Sequence, residues 1–350
     1  MRLPAAVRWS IGAWLIVLLA AAAVAIAAAP ASDLQPELRA LLARDFRFSS
    51  SDVADLEKGK VVTHRLGATA VGEVAAVGAV RVKARKEALV SRYRDIVQFK
   101  RGADVVQIGR FGNPPTLKDL APLTIDKQDV DVRMCRVGNC DIRLPAATIV
   151  RFQREINWKA RDADERAATL FKAVLLDNVS AYLSGGPGRI VQYDDDKRTV
   201  RPVDDFVGLL KSSPYIGALV PGLPDHLRTF PSNPLPGAED FLYWSKEKFG
   251  LTPFITVTHV TITHPTPASF VIASKDVYSS RYFDASLSLA IASDAVSGPD
   301  AFYLVYVNRS RANALKGALS GLRRAIVERR EKGSLDENLR STKARLEKNF

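Results

Sequence analysis

Four stretches from Asp240 onward constrain the fold more than any other part of the chain: "FLYWSKEKF", "PFITVTHVTITH", "SFVIASKDVYSSRYFDASLSLAIA" and "AFYLVYV". All are rich in Val, Ile, Thr, Tyr and Phe, and short turns join them, which reads as an antiparallel meander. The last strand, 302–307, meets Asn308-Arg309-Ser310 and passes without a loop into a basic helix reaching Arg330. In that helix Leu315, Leu319, Leu322 and Ile326 form one stripe, and Gly317 and Gly321 sit four apart. Glycines at this spacing lower helix propensity, so close packing against another surface is expected to compensate. A helix attached in this way is expected to be a lid on the sheet. The chain then ends, over 334–350, in a short charged helix opened by "SLDE", a capping box of Ser334 and Glu337.

The region before the meander is more varied. Residues 32–71 form an N-terminal extension with a short amphipathic helix, "PELRALLARDF", and a serine-capped one in "SSSDVADLEKGKVV". "GEVAAVGAVRVKA" (72–84) is a strand, "RKEALVSRYRDIVQF" (85–99) a helix with Leu89, Tyr93 and Ile96 at helical spacing, and "ADVVQIGRF" (103–111) a second strand. Residues 146–184 give two helices. Ala167, Leu170, Phe171, Val174 and Val179 line one side of the second, which Gly185-Gly186-Pro187 ends. Short pieces follow as far as the proline-rich "FPSNPLPG" (230–237).

Residues 1–10 hold two arginines and no acid, and an uncharged, alanine-rich run follows to Ala29. "APA" before Ser32 fits a signal-peptidase site, so 1–31 are expected to be a cleaved signal peptide. The alternative is an uncleaved inner-membrane anchor formed by 11–29, nearly long enough to span a bilayer. The formal net charge of +12 draws the chain to anionic surfaces, and export removes nucleic acid from the candidates. Over 309–350 twelve Lys and Arg stand against five Asp and Glu, which makes either a solvated face or a dock for an anionic membrane leaflet.

Cys135 and Cys140, in "MCRVGNC", are the chain's two cysteines. In an exported protein they are expected to form a disulfide, with "VDVRM" and "DIRL" as hairpin arms and Gly138-Asn139 as the turn. A reactive or metal-binding pair is the alternative, though no histidine is near enough in sequence to complete a zinc site.

His259 and His264 are five apart on a strand, so they face opposite ways and cannot share a metal while the strand stays regular. His64 and His226 fall in loop-like regions, and "YDDDK" (193–197) reads as a solvated turn. With no phosphate loop, nucleophile elbow or zinc-protease helix, the sequence assigns no catalytic residue, metal or cofactor. In "SRYFDASLSLA" (280–290), alternation puts Arg281, Phe283, Ala285, Leu287 and Leu289 on one face. Arg281 would then be a buried cation needing a carboxylate, from the protein or from an acidic ligand.

In element order and texture the chain resembles the START-like, helix-grip superfamily of lipid-transfer and polyketide cyclase-like proteins. The resemblance rests on "VKARKEALVSRYRDIVQFKRGADVVQIGRF", on the strands from Asp240, and on "FYLVYVNRSRANALKGALSGLRRAIVERR". It implies an α+β fold in which an antiparallel sheet grips a long C-terminal helix. The core would be 72–111 and 240–333, with 112–239 an insertion that carries the disulfide and the helical pair. It also implies a cavity for a lipid, sterol, isoprenoid or aromatic ligand, lined by Arg281, Phe283, Leu287 and Leu289 of the sheet and Leu315, Leu319, Leu322 and Ile326 of the lid. The expected function is binding or transfer of a hydrophobic ligand in the cell envelope. An envelope hydrolase or cyclase, and a structural protein without a cavity, are the rival classes. Convergent buried polar groups would favour the enzyme.

Overall fold

The computed structural model describes residues 32–127, 129, 131–248, 252–312 and 320–348, and of 320–332 the backbone alone. The leader therefore lies outside the described residues. The chain enters with helices α1 (Pro36–Arg44) and α2 (Ser50–Glu57), the second opened by the expected serine cap, in which Ser49 and Asp52 exchange hydrogen bonds. Next come strands β1 (Val62–Arg65) and β2 (Glu73–Val82), helices α3 (Lys86–Arg94) and α4 (Ile96–Phe99), and strand β3 (Val105–Arg110). Helices α5 (Ala146–Glu155), α6 (Ala163–Gly185), α7 (Pro202–Lys211), α8 (Tyr215–Leu219) and α9 (Leu223–Thr229) fill the predicted insertion. The meander is β4 (Glu239–Lys248), β5 (Pro253–Thr266), β6 (Ser269–Ser279), β7 (Ala285–Ala295) and β8 (Gly298–Arg311), followed by α10 (Ser320–Glu347).

The strands form one eight-stranded antiparallel sheet in the order β1-β2-β8-β7-β6-β5-β4-β3. Consecutive strands of the meander pair as neighbours. The early strands β2 and β3 are added at its two flanks, β2 beside β8 and β3 beside β4. The fold is thus α+β, as expected, and the N-terminal extension contributes β1 to the sheet.

Alternation gives the sheet two differently covered faces. Val77, Leu287, Leu289, Val305 and Val307 lie on the first face, under α1, α2, α7, α8 and α9; Leu242, Trp244 and Val257 lie on it under α5 and α6. Ala76, Val80, Val260, Ile272, Ala290 and Leu304 lie on the second face, under α3, α4 and α10. The insertion is thus no separate body: Ser32–Phe350 forms one compact unit.

Three local expectations are corrected. First, β8 does not stop at Val307 but continues to Arg311, so no helix begins at Asn308. The polar tail stays in the sheet because its cations find acids. Arg309 Nη1 lies 2.7 Å from buried Glu73, and Arg311 lies 3.6 Å from Glu73 and 3.3 Å from Asp205. Second, "SLDE" caps no separate helix, since Ser334 lies inside the continuous α10. The leucines of this supposedly charged tail, Leu335, Leu339 and Leu346, are buried against β2 and its surroundings. Leu315, Gly317 and Leu319 lie outside the described residues, as do the side chains of Leu322 and Ile326. Third, 280–290 is not one strand. Residues 280–284 bend the chain, Tyr282 adopts φ +67°, and Asp284 is held by Arg143 at 2.6 Å.

The disulfide Cys135–Cys140 forms as expected, around Gly138 at φ +80°. Its arms are not strands, however. One bridge, Arg136 with Asn139, stands in the loop, and the backbone of Asp194 and Asp195 accepts from Gly138 and Cys140. The aspartate turn is therefore an anchor for this loop, and Asp194 also accepts from the Ala146 amide (3.0 Å) at the start of α5.

Candidate functional site

The second face changes character along its strands. Toward one end it is apolar and covered. Toward the other, register places polar groups side by side: Tyr243, Thr258 and Asp276 across β4, β5 and β6, then Ser274, Ser288 and Asn308 across β6, β7 and β8. A sheet covered on both faces normally presents apolar side chains to each cover. Here Ser274, Asp276, Ser286, Tyr306 and Asn308 stand on central strands yet remain only half-buried. We name this half-covered polar end of the face the recess.

Its wall at the β4 side is built by α4. Lys100, just past that helix, donates to Tyr243 Oη (2.9 Å) and to Glu247 Oε1 (3.3 Å). Glu247 also accepts from Ser245 (2.6 Å), and Thr258 donates to Asp276 (3.0 Å). Tyr93 and Phe99 pack together nearby, with ring centroids 5.0 Å apart. Burial works against the charge of Lys100, but the Glu247 carboxylate together with Tyr243 and Tyr306 outweighs it and holds the ammonium well above its ordinary range. Burial likewise opposes ionisation of Glu247, and Lys100 and Ser245 outweigh it and keep that carboxyl below its ordinary value. Asp276 is different. Burial pushes its carboxyl up to about 7, the Glu247 charge adds to this, and the Thr258 hydroxyl only partly offsets it. The recess thus combines a fixed ion pair, tyrosine rings and hydroxyls, and one carboxyl that titrates near neutrality. Such a group can accept or donate a proton, or bind a polar head, without a large energetic penalty.

A second cluster lies on the opposite face. His226 of α9, Asp240 of β4 and His259 of β5 converge. Asp240 Oδ1 is 3.0 Å from His226 Nε2, 2.9 Å from His259 Nε2, and accepts from Thr261 (2.6 Å). His259 Nδ1 lies 2.8 Å from Tyr182 Oη, and His226 Nδ1 lies 3.0 Å from the Asn233 carbonyl. Phe230 packs on His259 with centroids 4.3 Å apart and stacks on Tyr182. Burial opposes protonation of His226, but Asp240 and the Asn233 carbonyl overcome it and raise the imidazole. Burial dominates at His259 and lowers it. Nearby Lys275 is fully buried, donates to the Leu227 carbonyl (3.0 Å) and is pushed down to about 7 by burial.

The residues expected to line a cavity do not come together. Arg281 sits in the 280–284 bend and donates to the carbonyls of Asp141 (2.9 Å) and Asp129 (3.5 Å). It lines an open surface depression of about 670 Å³ with Asp126, Asp131 and Asp141. Phe283 packs near Val74 and Ala312, on the recess side of the sheet. Leu287 and Leu289 are buried in the core of the other face. His264 is exposed at the end of β5, as the five-residue offset from His259 required. His226, read as a loop residue, is on a helix and 1% exposed. The pairing of His226 with His259 across 33 positions leaves no local motif, so spacing alone had no means of finding it.

The chain matches no family model, and comparison with curated proteins and with solved structures finds none similar to it.

Proposed function

We propose that the protein is an exported ligand-binding protein of the helix-grip kind, and that it holds an amphipathic molecule in the recess on the second sheet face. The observation that carries this reading is the half-buried polar row on central strands of a sheet that helices cover on both faces. The order β2-β8-β7-β6-β5-β4-β3, two short helices between β2 and β3, and a helix after the last strand support the START-like resemblance. The lining argues for a ligand with both an apolar body and a hydrogen-bonding group: the half-buried Tyr93 and Tyr306 offer rings, and Asp276, Ser274 and Asn308 offer polar contacts. That narrows the expected lipid, sterol, isoprenoid or aromatic compound to one bearing a hydroxyl or amine. Export is supported by the disulfide. Among the described residues no helix is long and apolar enough to cross a membrane. The basic C-terminal region adds a membrane dock, tested with anionic against neutral vesicles.

The enzyme reading has one observation in its favour, the Asp276 carboxyl raised to about 7, where a general base works well. The deciding experiment is native mass spectrometry of protein purified from its own envelope, with solvent extraction of bound compounds, beside a Ser274→Trp variant that fills the recess. A bound amphipath in the wild type and none in the folded variant is the expected result. An unliganded wild type that takes up no fluorescent fatty acid or sterol overturns the proposal.

A further inference from the structure

The cluster of His226, Asp240 and His259 belongs to none of the chemistry above, since it lies on the other face of the sheet from the recess. Among the described residues it is the one group of three or more histidine, cysteine or acidic side chains whose donor atoms all lie within 4.8 Å of one another. We propose that these three side chains form a binding site for a transition-metal dication of the zinc type, with the two imidazole Nε2 atoms and an Asp240 oxygen as ligands.

Three features of the geometry support this. The first is spacing. Both Nε2 atoms already aim at Asp240 Oδ1, at 3.0 and 2.9 Å. In a tetrahedral zinc site with metal–ligand distances near 2.0–2.1 Å, neighbouring ligand atoms lie about 3.3 Å apart. Each imidazole would therefore draw back from the Asp240 oxygen by only a few tenths of an ångström, roughly, and the donor atoms of all three side chains already lie within 4.8 Å of one another.

The second is the outer support that metal-binding histidines require. A ligating imidazole usually gives its other N–H to a carbonyl, carboxylate or other oxygen, which fixes the ring and its tautomer. The Asn233 carbonyl stands 3.0 Å from His226 Nδ1, and Tyr182 Oη stands 2.8 Å from His259 Nδ1. With Nδ1 protonated in each ring, both Nε2 lone pairs face the common point; at His226 the Leu235 amide also aims at Nδ1 (3.1 Å) and favours the other tautomer, so metal binding has to shift that ring's proton onto the Asn233 side. Thr261 donates to Asp240 and orients the carboxylate in the same way.

The third is access. The imidazoles are 1% and 0% exposed, whereas the Asp240 side chain is 21% exposed. An ion can enter along the carboxylate, and a water can occupy a fourth position on that side. Three protein ligands with one open position are the arrangement zinc takes where it also does chemistry. Two imidazoles and one carboxylate select this class over calcium and magnesium, which prefer oxygen alone.

The test uses chelator-treated wild-type protein titrated with Zn²⁺ by calorimetry, with Mg²⁺ as control. One saturable equivalent of Zn²⁺ and none of Mg²⁺ is expected. The chain has four histidines. The double variant His64→Ala/His264→Ala removes the two outside the cluster, neither of which touches His226, Asp240 or His259, so once folded it should bind as the wild type does. Asp240→Asn should weaken binding by at least about 10-fold, the lower end of the range seen even for outer-shell changes. Bound Co²⁺ should show the ligand-field absorption of a low-coordinate site in the wild type and in the double variant. Folded wild-type protein that takes up no Zn²⁺ overturns the proposal, and so does a double variant that is folded and no longer binds.

Discussion

Asp276 is the residue whose behaviour most directly reports the recess. In an unfolded chain its carboxyl ionises around 3.8; in the folded protein it keeps its proton to about 7. Between those values the folded state holds the extra proton, so the contribution of this group to stability is whole below 3.8 and is lost as the pH rises through about 7. The expected slope from this one group is at most about 1.4 kcal/mol per pH unit. Asp276→Asn keeps the shape and cannot ionise, so its denaturation midpoint should fall less than that of the wild type between acid and neutral pH. Parallel profiles for the two proteins would place the Asp276 carboxyl in solvent and remove the recess as a desolvated site. The residue was not legible in the sequence. "SKDVY" gives alternation, but a bulge at Val277 interrupts the β5–β6 register there, so counting alone does not show which neighbours Asp276 meets.

At the scale of elements, the strands and a helix after them were legible, but the end of β8 and the packing of α10 were not. Val, Ile, Thr and Tyr at short spacing marked β4 to β8 because side-chain shape and alternation are local properties. The end of β8 depends on something non-local: Asn308 to Arg311 stay extended because Glu73, more than 230 positions away, receives two of their cations. The packing of α10 is non-local in the same sense. Its contact with β2 is made at Gly78, where an added Cβ would lie 2.5 Å from Leu339 Cδ1 and 3.2 Å from Leu335 Cγ. The glycine thus seats two leucines of a segment that looks polar in sequence. Gly78→Val should cost roughly 1–3 kcal/mol through overpacking. Leu339→Ala placed on that background should recover part of the loss, because it vacates the space the valine needs. The check is a double-mutant cycle read by urea midpoints. Strictly additive losses would mean that the leucine and the glycine do not share a contact.

For the whole molecule, the sequence order of elements foretold the α+β class, whereas the two candidate clusters emerged only from strands and helices far apart in the chain. The disulfide is an exception, since its two partners are five positions apart and needed no fold to be paired. Replacing both Cys135 and Cys140 by Ala should lower stability by about 2 kcal/mol, the chain-entropy value for so short a loop. The loss should vanish when wild type and variant are compared under reducing conditions. The sheet order also sets a timetable. β2 is buried along almost its whole length, yet its long partner is β8. About 230 residues separate the end of one from the end of the other. At the usual pace of translation, roughly 5–20 residues per second, β2 waits about 10–45 s after its own synthesis before its partner is made. Throughout that interval a valine- and alanine-rich edge is open to the wrong neighbour. A nascent chain of this design cannot close its sheet early, so it stays threadable until nearly all of it has left the ribosome.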